Sequence, residues 1–293
     1  MFRRLKKNAL SGLLPLVFGA MMSVNSIVSA QVKQDSLPPW HTLQKGLYFS
    51  EPDAPEKSII NDSRIFILKA DPRLCDFKML SSSEHGRKTR TADVWAKEFG
   101  VNVVVNAGMF NMSNARTNKG YLKNYAHTNN GKMNGYYNVM MAMNPIQDES
   151  PAMMLYDLTC TKWESIRKDY HTFCQGMRMI DGNGNKMAWD KRPGQSCSMV
   201  IGGTDIIGNI YFIFARSPYT HQKMIDFVVS LIPDIRTTVY LEGGPEASLY
   251  IQTPDTTISK IGSYVSKTYE NDNNDHFWKI PNVIGIQSGK IPK

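Results

Sequence analysis

The chain has 293 residues, with 34 Lys and Arg against 26 Asp and Glu, so its formal net charge is +8. Four of the basic residues fall within the first thirty, and without that segment the balance is 30 against 26, or about +4. This remaining charge is modest, and no basic stripe with interleaved aromatic residues appears, which argues against nucleic acid as a partner.

Residues 1–30 have the composition of a secretory signal peptide. Basic residues form a positive n-region, residues 9–24 are mostly apolar, and Val28-Ser29-Ala30 supplies small residues at the usual cleavage positions. We therefore expect export to the periplasm or the extracellular space, with cleavage near Ala30. The alternative is that the apolar run stays as a membrane anchor. Since no later apolar stretch is long enough to span a bilayer, we expect no membrane span after cleavage.

The segment that follows predicts strands after a polar lead-in. Residues 31–60 are polar and proline-bearing, and suit an N-terminal lead-in with one short strand at 46–49. The alternating, β-branched run RIFILK at 64–69 predicts a strand, and residues 77–80 predict the next one.

A helix and a buried strand come next. Thr91 is typical of a helix N-cap and Gly100 of a helix end, so we expect a helix over 91–99. The valine-rich run at 101–105 predicts a strand buried on both faces. It ends in the polar and glycine-containing elbow Asn106-Ala107-Gly108-Met109-Phe110.

The second half of the chain alternates a long loop, strands and one strong helix. Residues 111–138 are rich in Asn, Gly, Lys and Tyr, which predicts a long functional loop with short strands. Residues 220–231 show apolar residues at helical spacing, with Thr220 as the cap and Pro233 beyond the end. A short helix or helical turn is predicted at 163–169, and further strands at 139–143, 153–158, 175–180, 186–189, 199–202, 210–215 and 283–286.

The stretch TTVYLEGGPEASLYIQ at 237–252 places an acid at the end of a strand. Val239 to Leu241 predict a buried strand, and Glu242 follows it directly, before Gly243 and Gly244. Two glycines let the backbone approach a ligand closely, which would set a carboxylate beside a bound phosphate or sugar. The alternative is a β-hairpin whose Gly-Gly turn has no chemical role.

The four cysteines leave several arrangements open. In an oxidising compartment, Cys75, Cys160, Cys174 and Cys197 allow three complete pairings, and Cys160 with Cys174 is the favoured pair because these are nearest in sequence. Free buried thiols are the alternative. No CxxC spacing or HxxxH pair appears, so we expect no cofactor, while a structural divalent cation held by loop Asp and Asn residues stays open.

Three elements resemble those of the phosphodiester glycosidase family: NAGMF at 106–110, QGMRMID at 175–181 and LEGGPEASLY at 241–250. The likeness runs from about residue 64 to 286. It implies a single phosphodiester glycosidase-like domain at 61–293, after the signal peptide at 1–30 and the lead-in at 31–60. The family positions it implies are Asn106, Gly108, Gly120, Arg178, Glu242, Gly243, Gly244 and Ser248. Glu242 stands where many members have aspartate, and Pro245-Glu246 replaces a Gly-Ser pair.

The family's chemistry assigns roles to these residues. Glu242 would face the sugar, with Asp181 as a second carboxylate and Asn106 orienting a hydroxyl or the water. Backbone N–H groups at Ala107-Gly108 and at Gly243-Gly244, together with Arg178, would hold the phosphate.

Each of these residues also has a structural interpretation. Asn106 can cap the turn after its strand, Arg178 can form an ion pair, and Asp181 can belong to the turn Asp-Gly-Asn-Gly. Glu246 either raises the pKa of Glu242 or faces solvent. Two loop histidines, His85 and His127, are candidates for catalysis, although such residues are more often ordinary surface.

Together the elements predict an α+β (mixed α/β) fold, a single domain with a central mixed β-sheet flanked by helices. We expect the strands ending at Asn106 and Glu242 to lie in that sheet, with the helices 91–99 and 220–231 packed on it. The predicted function in carbohydrate metabolism is hydrolysis of a sugar 1-phosphodiester, taken as a small molecule or a glycan, to free sugar and a phosphomonoester. The alternatives are a phosphodiesterase that cuts the P–O bond and a non-catalytic glycan- or phosphate-binding protein.

Overall fold

The computed structural model describes residues 39–111, 113–189 and 194–289, so the predicted signal peptide lies outside the described residues. Within these ranges the chain forms eighteen strands and three α-helices. In chain order they are β1 (His41–Gln44), β2 (Leu47–Ser50), β3 (Phe66–Ala70), β4 (Cys75–Ser81), α1 (Ala92–Phe99), β5 (Val103–Asn106), β6 (Phe110–Asn111), β7 (Asn114–Asn118), β8 (Leu122–Asn124), β9 (His127–Asn130), β10 (Val139–Pro145), β11 (Met153–Asp157), α2 (Trp163–Asp169), β12 (Tyr170–Ile180), β13 (Ser196–Asp205), β14 (Ile210–Thr220), α3 (His221–Leu231), β15 (Ile235–Gly243), β16 (Ser248–Gln252), β17 (Thr257–Ile261) and β18 (Asn282–Ser288).

The strands form two main sheets. The larger has the order β1-β2-β3-β14-β13-β15-β12-β10-β11, with β8 and β9 attached through β12, and the smaller has the order β17-β16-β5-β18-β4. Strands β6 and β7 pair separately. Every strand pair in the described ranges is antiparallel, so the predicted mixed sheet is wrong, and the fold is α+β with the sheets dominant. The physical reason is that alternation predicts strands but carries no information on their relative direction.

The main core lies between the two sheets. Val103 and Val105 of β5 share one buried cluster with Val200 of β13 and Leu241 of β15, which belong to the other sheet. Successive side chains of a strand point to opposite faces, so Val104 lies in a different cluster on the outer face of β5. This confirms the prediction that the valine-rich strand is buried on both faces.

Helices cover the outer faces of the sheets. Trp95 of α1 packs in the cluster that contains Val104, and Met224 of α3 packs against the outward residues of the larger sheet. Helix α1 ends at Gly100 with φ 60°, and the Thr220 side chain accepts a hydrogen bond from the Lys223 N–H at the start of α3. Both helices therefore begin and end as predicted.

The chain changes sheets immediately after Glu242. Strand β15 lies in the larger sheet and β16 in the smaller one, and a 3-10 turn, Gly244–Glu246, connects them. The hairpin alternative is therefore wrong. The expectation that the strands ending at Asn106 and Glu242 lie in one central sheet is also wrong, because β5 belongs to the smaller sheet. Their ends meet at the seam between the two sheets.

The lead-in takes part in the larger sheet. Strand β2, which contains the predicted short strand, pairs with β3, and β1 pairs with β2. None of the helices in the described ranges is long and apolar enough to cross a membrane.

Candidate functional site

Glu242 stands at the end of a buried strand, where β15 leaves the larger sheet. The strand is buried over residues 237–241, and Glu242 is the first of its residues after that run to be partly exposed. Its Oε1 accepts a hydrogen bond of 3.1 Å from the N–H of Gly243. The strand end therefore holds a carboxyl group that is hydrogen-bonded to the backbone, on a residue that is partly exposed.

The surroundings of this carboxyl favour its neutral form. Burial raises the pKa of Glu242 to about 8, while the Gly243 N–H opposes the shift. The negative charge of Glu246 raises the pKa further, and the positive charge of Lys119 lowers it. Of the two interpretations that the sequence left open for Glu246, the structure therefore favours the one in which its charge raises the pKa of Glu242. At neutral pH most molecules carry Glu242 uncharged.

The glycine pair after Glu242 is required by packing. A Cβ on Gly243 would lie 2.2 Å from the Tyr240 Oη, and one on Gly244 would lie 2.3 Å from the Val265 Cγ2. Gly244 also has φ 69°, a conformation that side chains rarely adopt. Because the N–H of Gly243 already bonds to Glu242, the structure gives this group an intramolecular partner where the family pattern implied phosphate.

A shallow depression opens beside Glu246. It has a volume of about 510 Å³, and its walls combine aromatic rings with polar groups. Burial raises the pKa of Glu246, as it does for Glu242. The lining residues are Thr91, Phe110, Glu246, His276, Phe277, Trp278 and Lys279. Two carboxyl groups with raised pKa values therefore lie together at the seam, one of them in a depression with a half-exposed tryptophan.

Asn106 and Ser248 fasten this seam together. The Asn106 Nδ2 donates to the Glu246 carbonyl at 3.0 Å, and its Oδ1 accepts from the Ser248 N–H at 2.7 Å. The Ser248 hydroxyl donates to the same Glu246 carbonyl at 3.0 Å. Both side chains are buried, so in this structure they position the turn that carries Glu246.

The elbow after Asn106 is also internally bonded. The Ala107 N–H donates to the Asn282 carbonyl at 3.1 Å, and Gly108 is buried with φ 144°. A Cβ on Gly120 would lie 2.6 Å from the Gln175 carbonyl oxygen, which requires glycine there. Packing and backbone conformation therefore account for these glycines, and the N–H of Ala107 has a protein partner where the sequence predicted a phosphate.

Arg178 lies in a second polar cluster. Its Nη1 donates to both carboxylate oxygens of Asp157 at 2.7 Å and to the Thr159 hydroxyl at 2.7 Å. The Asp157 side chain is 1% exposed and that of Arg178 14% exposed. Arg178 pairs with Val239, three residues before Glu242 on β15. The ion-pair interpretation therefore describes the contacts of Nη1, whereas the buried Nε has no hydrogen-bond partner and the pairing with phosphate stays a prediction.

Asp181 is separated from Glu242. Its Oδ1 accepts from the N–H groups of Asn183 and Asn185, which closes the turn that the sequence predicted. Ile180 is opposite Thr238, so Asp181 lies at least four strand residues, about 13 Å, from Glu242 along β15. The predicted pair of Asp181 and Glu242 is therefore not formed, because β12 and β15 run antiparallel.

The two loop histidines belong to another polar cluster. The Ser83 Oγ is 2.9 Å from the His127 Nε2 and accepts from the Asn129 Nδ2 at 2.7 Å. His85 packs on Phe99, with ring centroids 4.6 Å apart, and burial lowers its pKa. His127 thus has a polar partner just after β4, and His85 has an aromatic partner in α1.

Sequence reasoning missed two neighbours of Glu242. Lys119 lies close enough to lower the pKa of Glu242, and Glu242 contributes to raising the pKa of Tyr137 to about 12, after burial. Both residues come from the long loop at 111–138. Its length and polarity indicated a functional loop, but no pattern within it singled out these two positions.

The structure also bears on the predicted disulfide and on a possible metal site. All four cysteines are free, and Cys174 is buried with its thiol donating to the Ala107 carbonyl at 3.0 Å, so the favoured Cys160–Cys174 disulfide is wrong. In the part of the chain that the structure describes, no three His, Cys, Asp or Glu side chains form a group that could hold a metal.

The described residues thus form two antiparallel sheets that share one core, with helices outside and the end of β15 at the seam. The chain is similar in fold to the zebrafish N-acetylglucosamine-1-phosphodiester alpha-N-acetylglucosaminidase catalytic domain auto-inhibited by its pro-peptide, with a TM-score of 0.57 and 11% identity over 86% of this chain and 87% of that one. It is also similar to a hypothetical protein from Synechocystis, with a TM-score of 0.53 and 12% identity over 85% of this chain and 64% of that one. No protein-family model and no curated protein matches the chain. At these identities the comparison establishes a distant fold relationship.

Proposed function

We propose that the protein is an exported hydrolase that cleaves the glycosidic bond of a sugar 1-phosphodiester. The products are a free sugar and a phosphomonoester. The observation that carries the proposal is Glu242, a partly exposed residue at a strand end whose carboxyl pKa is raised to about 8. Perturbed carboxyl groups of this kind are typical of active sites. The fold shared with a phosphodiester glycosidase supports the same reaction class.

The chemistry requires activation of water more than protonation of the leaving group. A phosphate leaves with its negative charge, so little proton donation is needed, while the oxocarbenium-like transition state must be attacked by water. A base is most effective when its pKa lies near the working pH. Ionised Glu242 takes a proton from water as the oxygen bonds to the anomeric carbon, and the C–O bond to phosphate breaks with its electron pair on the phosphate.

Other residues near Glu242 have proposed roles in binding the phosphate and the sugar. Lys119, whose positive charge lowers the pKa of Glu242, would hold the phosphate in place of Arg178. Glu246 takes the place of Asp181 as the second carboxyl. The aromatic depression beside Glu246 offers Trp278 as a surface for the apolar face of a sugar ring. Asn106 is a positioning residue for the Glu246 turn.

The experiment is product analysis on a panel of sugar 1-phosphodiesters in 18O-labelled water. We expect free sugar that carries the label and an unlabelled phosphomonoester. The Glu242→Gln variant should lose at least about 100-fold in rate, because the amide cannot accept the proton. Glu149→Gln is the matched control, since Glu149 is an exposed loop residue and should keep wild-type rates.

Two results would contradict the proposal. Label in a phosphate product, with sugar phosphate released, would make the protein a phosphodiesterase. Binding of the panel without turnover would make it a glycan- or phosphate-binding protein. Export has its own test, which is N-terminal sequencing of the protein recovered outside the cytoplasm, with Gln31 expected as the first residue.

A further inference from the structure

A second cleft in the protein combines aromatic rings with unpaired positive charge. It has a volume of about 390 Å³, within the range usual for ligand sites. The residues that give it its character are Tyr121, Lys123, Tyr125, Trp163, Arg167 and His171. They come from two stretches of chain, residues 121–125 around β8 and residues 163–171 in α2 and the start of β12, which converge on one cleft.

The aromatic walls are both ordered and accessible. Trp163 packs edge-on against Tyr121 and Phe173, with ring centroids 5.4 and 4.9 Å apart. Tyr125 stacks on His171 at 5.1 Å with an angle of 20° between the rings, and Tyr125 is 53% exposed. Fixed rings with one open face offer apolar area at little cost in conformational entropy. Such faces suit the C–H surfaces of sugar rings.

The charge of the cleft is of one sign. Lys123 and Arg167 both line it, and no acidic side chain lines it in the described part of the chain. Neither cation forms an ion pair with a described residue, unlike Arg178, Arg216 and Lys260 elsewhere in the protein. Arg167 lies near Tyr121, where its charge opposes the rise that burial causes in the tyrosine pKa. An anionic ligand would neutralise both cations.

The cleft is separate from the Glu242 site. Its floor includes Phe173, which lies in an outer cluster with Ile166 of α2. The next residue, Cys174, points to the opposite face, into the main core. Glu242 pairs with Val200, which lies in the same core, and paired residues of neighbouring strands point to the same face, so Glu242 lies on the core face of the sheet. The sheet therefore stands between the two sites.

From these observations we propose that the cleft is a binding site for an acidic saccharide, one that carries carboxylate or phosphate groups on its sugar rings. The rings pack on Tyr125 and Trp163, and the anionic groups bond to Lys123 and Arg167. The site is independent of the reaction at Glu242, because it retains a ligand by stacking and charge without any bond being made or broken.

The test is calorimetric titration of the protein with hexagalacturonate, mannose 6-phosphate and, as the uncharged control, maltohexaose. We expect at least one acidic probe to bind and maltohexaose to bind at least about tenfold more weakly. Carboxylate as the preferred group would appear as tighter binding of hexagalacturonate, and phosphate as tighter binding of mannose 6-phosphate. Equal binding of neutral and acidic probes, or binding of neither acidic probe, overturns the proposal.

Variants locate the binding within the cleft. Lys123→Gln and Arg167→Gln should each weaken the acidic probe at least about fivefold, and Tyr125→Ala about three- to tenfold. Lys168→Gln is the matched control, because Lys168 is exposed on the same helix but does not line the cleft. Wild-type affinity in the Lys123→Gln, Arg167→Gln double variant overturns the proposal.

Two further measurements separate the sites and the ligand classes. The Glu242→Gln variant should bind the acidic probe as wild type does, so loss of activity and loss of this binding are distinguishable. Single-stranded oligothymidylate is titrated in parallel, since aromatic and basic residues also suit nucleic acid. Tighter binding of the oligonucleotide than of either acidic saccharide would assign the cleft to nucleic acid and overturn the saccharide proposal.

Discussion

Asp157 at the end of β11 and Glu242 near the end of β15 are two acids of the larger sheet whose carboxyl groups have very different surroundings. Asp157 is buried and meets Arg178, the Thr159 hydroxyl and two backbone N–H groups, and hydrogen bonds outweigh burial to lower its pKa. Glu242 meets one N–H and a second acid, and burial raises its pKa to about 8. The first carboxylate is fully compensated, and the second is not.

The difference separates a structural cluster from a reactive one. A buried charge whose hydrogen bonds are all made within the protein favours one conformation and has no hydrogen-bonding capacity left for a ligand. A carboxyl that lacks such partners and stays reachable from solvent can exchange its proton near neutral pH. On this basis we assign the proposed catalytic function to the Glu242 end of the strand, and four experiments test that division.

The largest expected effect is on stability, at the compensated cluster. Arg178→Met leaves Asp157 buried without its cation, and should lower the free energy of unfolding by about 3–5 kcal/mol in urea denaturation. Arg64→Met is the control, because the exposed Arg64–Asp53 pair at 4.0 Å should contribute under about 1 kcal/mol. The folded Arg178→Met variant should keep the wild-type KM. A large rise in KM would show instead that Arg178 holds substrate.

The next effect concerns the pH dependence of activity. With a pKa of about 8, the ionised fraction of Glu242 rises from roughly 1% at pH 6 to roughly 50% at pH 8, so kcat/KM should rise roughly 50-fold. The residual activity of Glu242→Gln should lack this rise. A wild-type rate that falls through pH 8 would identify Glu242 as a proton donor and contradict its role as the base.

A smaller effect is expected at Lys119. Lys119→Gln removes the positive charge that lowers the pKa of Glu242, so the rise in the pH–rate profile should move to higher pH. Loss of a phosphate contact should also raise KM about tenfold. Lys132→Gln serves as the control, since Lys132 is exposed in the same loop. An unchanged profile in Lys119→Gln would remove Lys119 from the site.

The smallest effect is on the melting temperature of Glu242→Gln. The pKa of Glu242 is higher in the folded chain than in the unfolded chain, so the folded state binds more protons between about pH 4.5 and pH 8. Stability from this group is therefore lost as pH rises through that window. Glutamine cannot ionise, so the variant's Tm relative to wild type should increase by about 3 °C or more from pH 5 to pH 8.5. Glu149→Gln should show no such trend.

Local patterns in the sequence determined the elements that flank the site. Thr91 and Gly100 bound α1, Thr220 begins α3, and the valine-rich run forms β5, because capping and alternation act within a few residues. The strand that ends at Glu242 was predicted for the same reason. The Asp181 turn was also foreseen, since Asp-Gly-Asn-Gly closes on its own backbone.

Only the tertiary structure decided which of these elements meet. Strand β15 and strand β16 lie in different sheets, so the glycine pair crosses a seam that no local pattern marks. The antiparallel register puts Asp181 far from Glu242, and long-range contacts bring Asp157 to Arg178 and Lys119 to Glu242. A residue's own sequence neighbourhood sets its backbone, but its charge also depends on distant partners, which are 21 residues apart for Asp157 and Arg178 and 123 apart for Lys119 and Glu242. The sequence by itself therefore determined the strands and helices that flank the site, although the strand predicted at 186–189 does not form, and the packing of the two sheets decided which carboxyl stays unpaired.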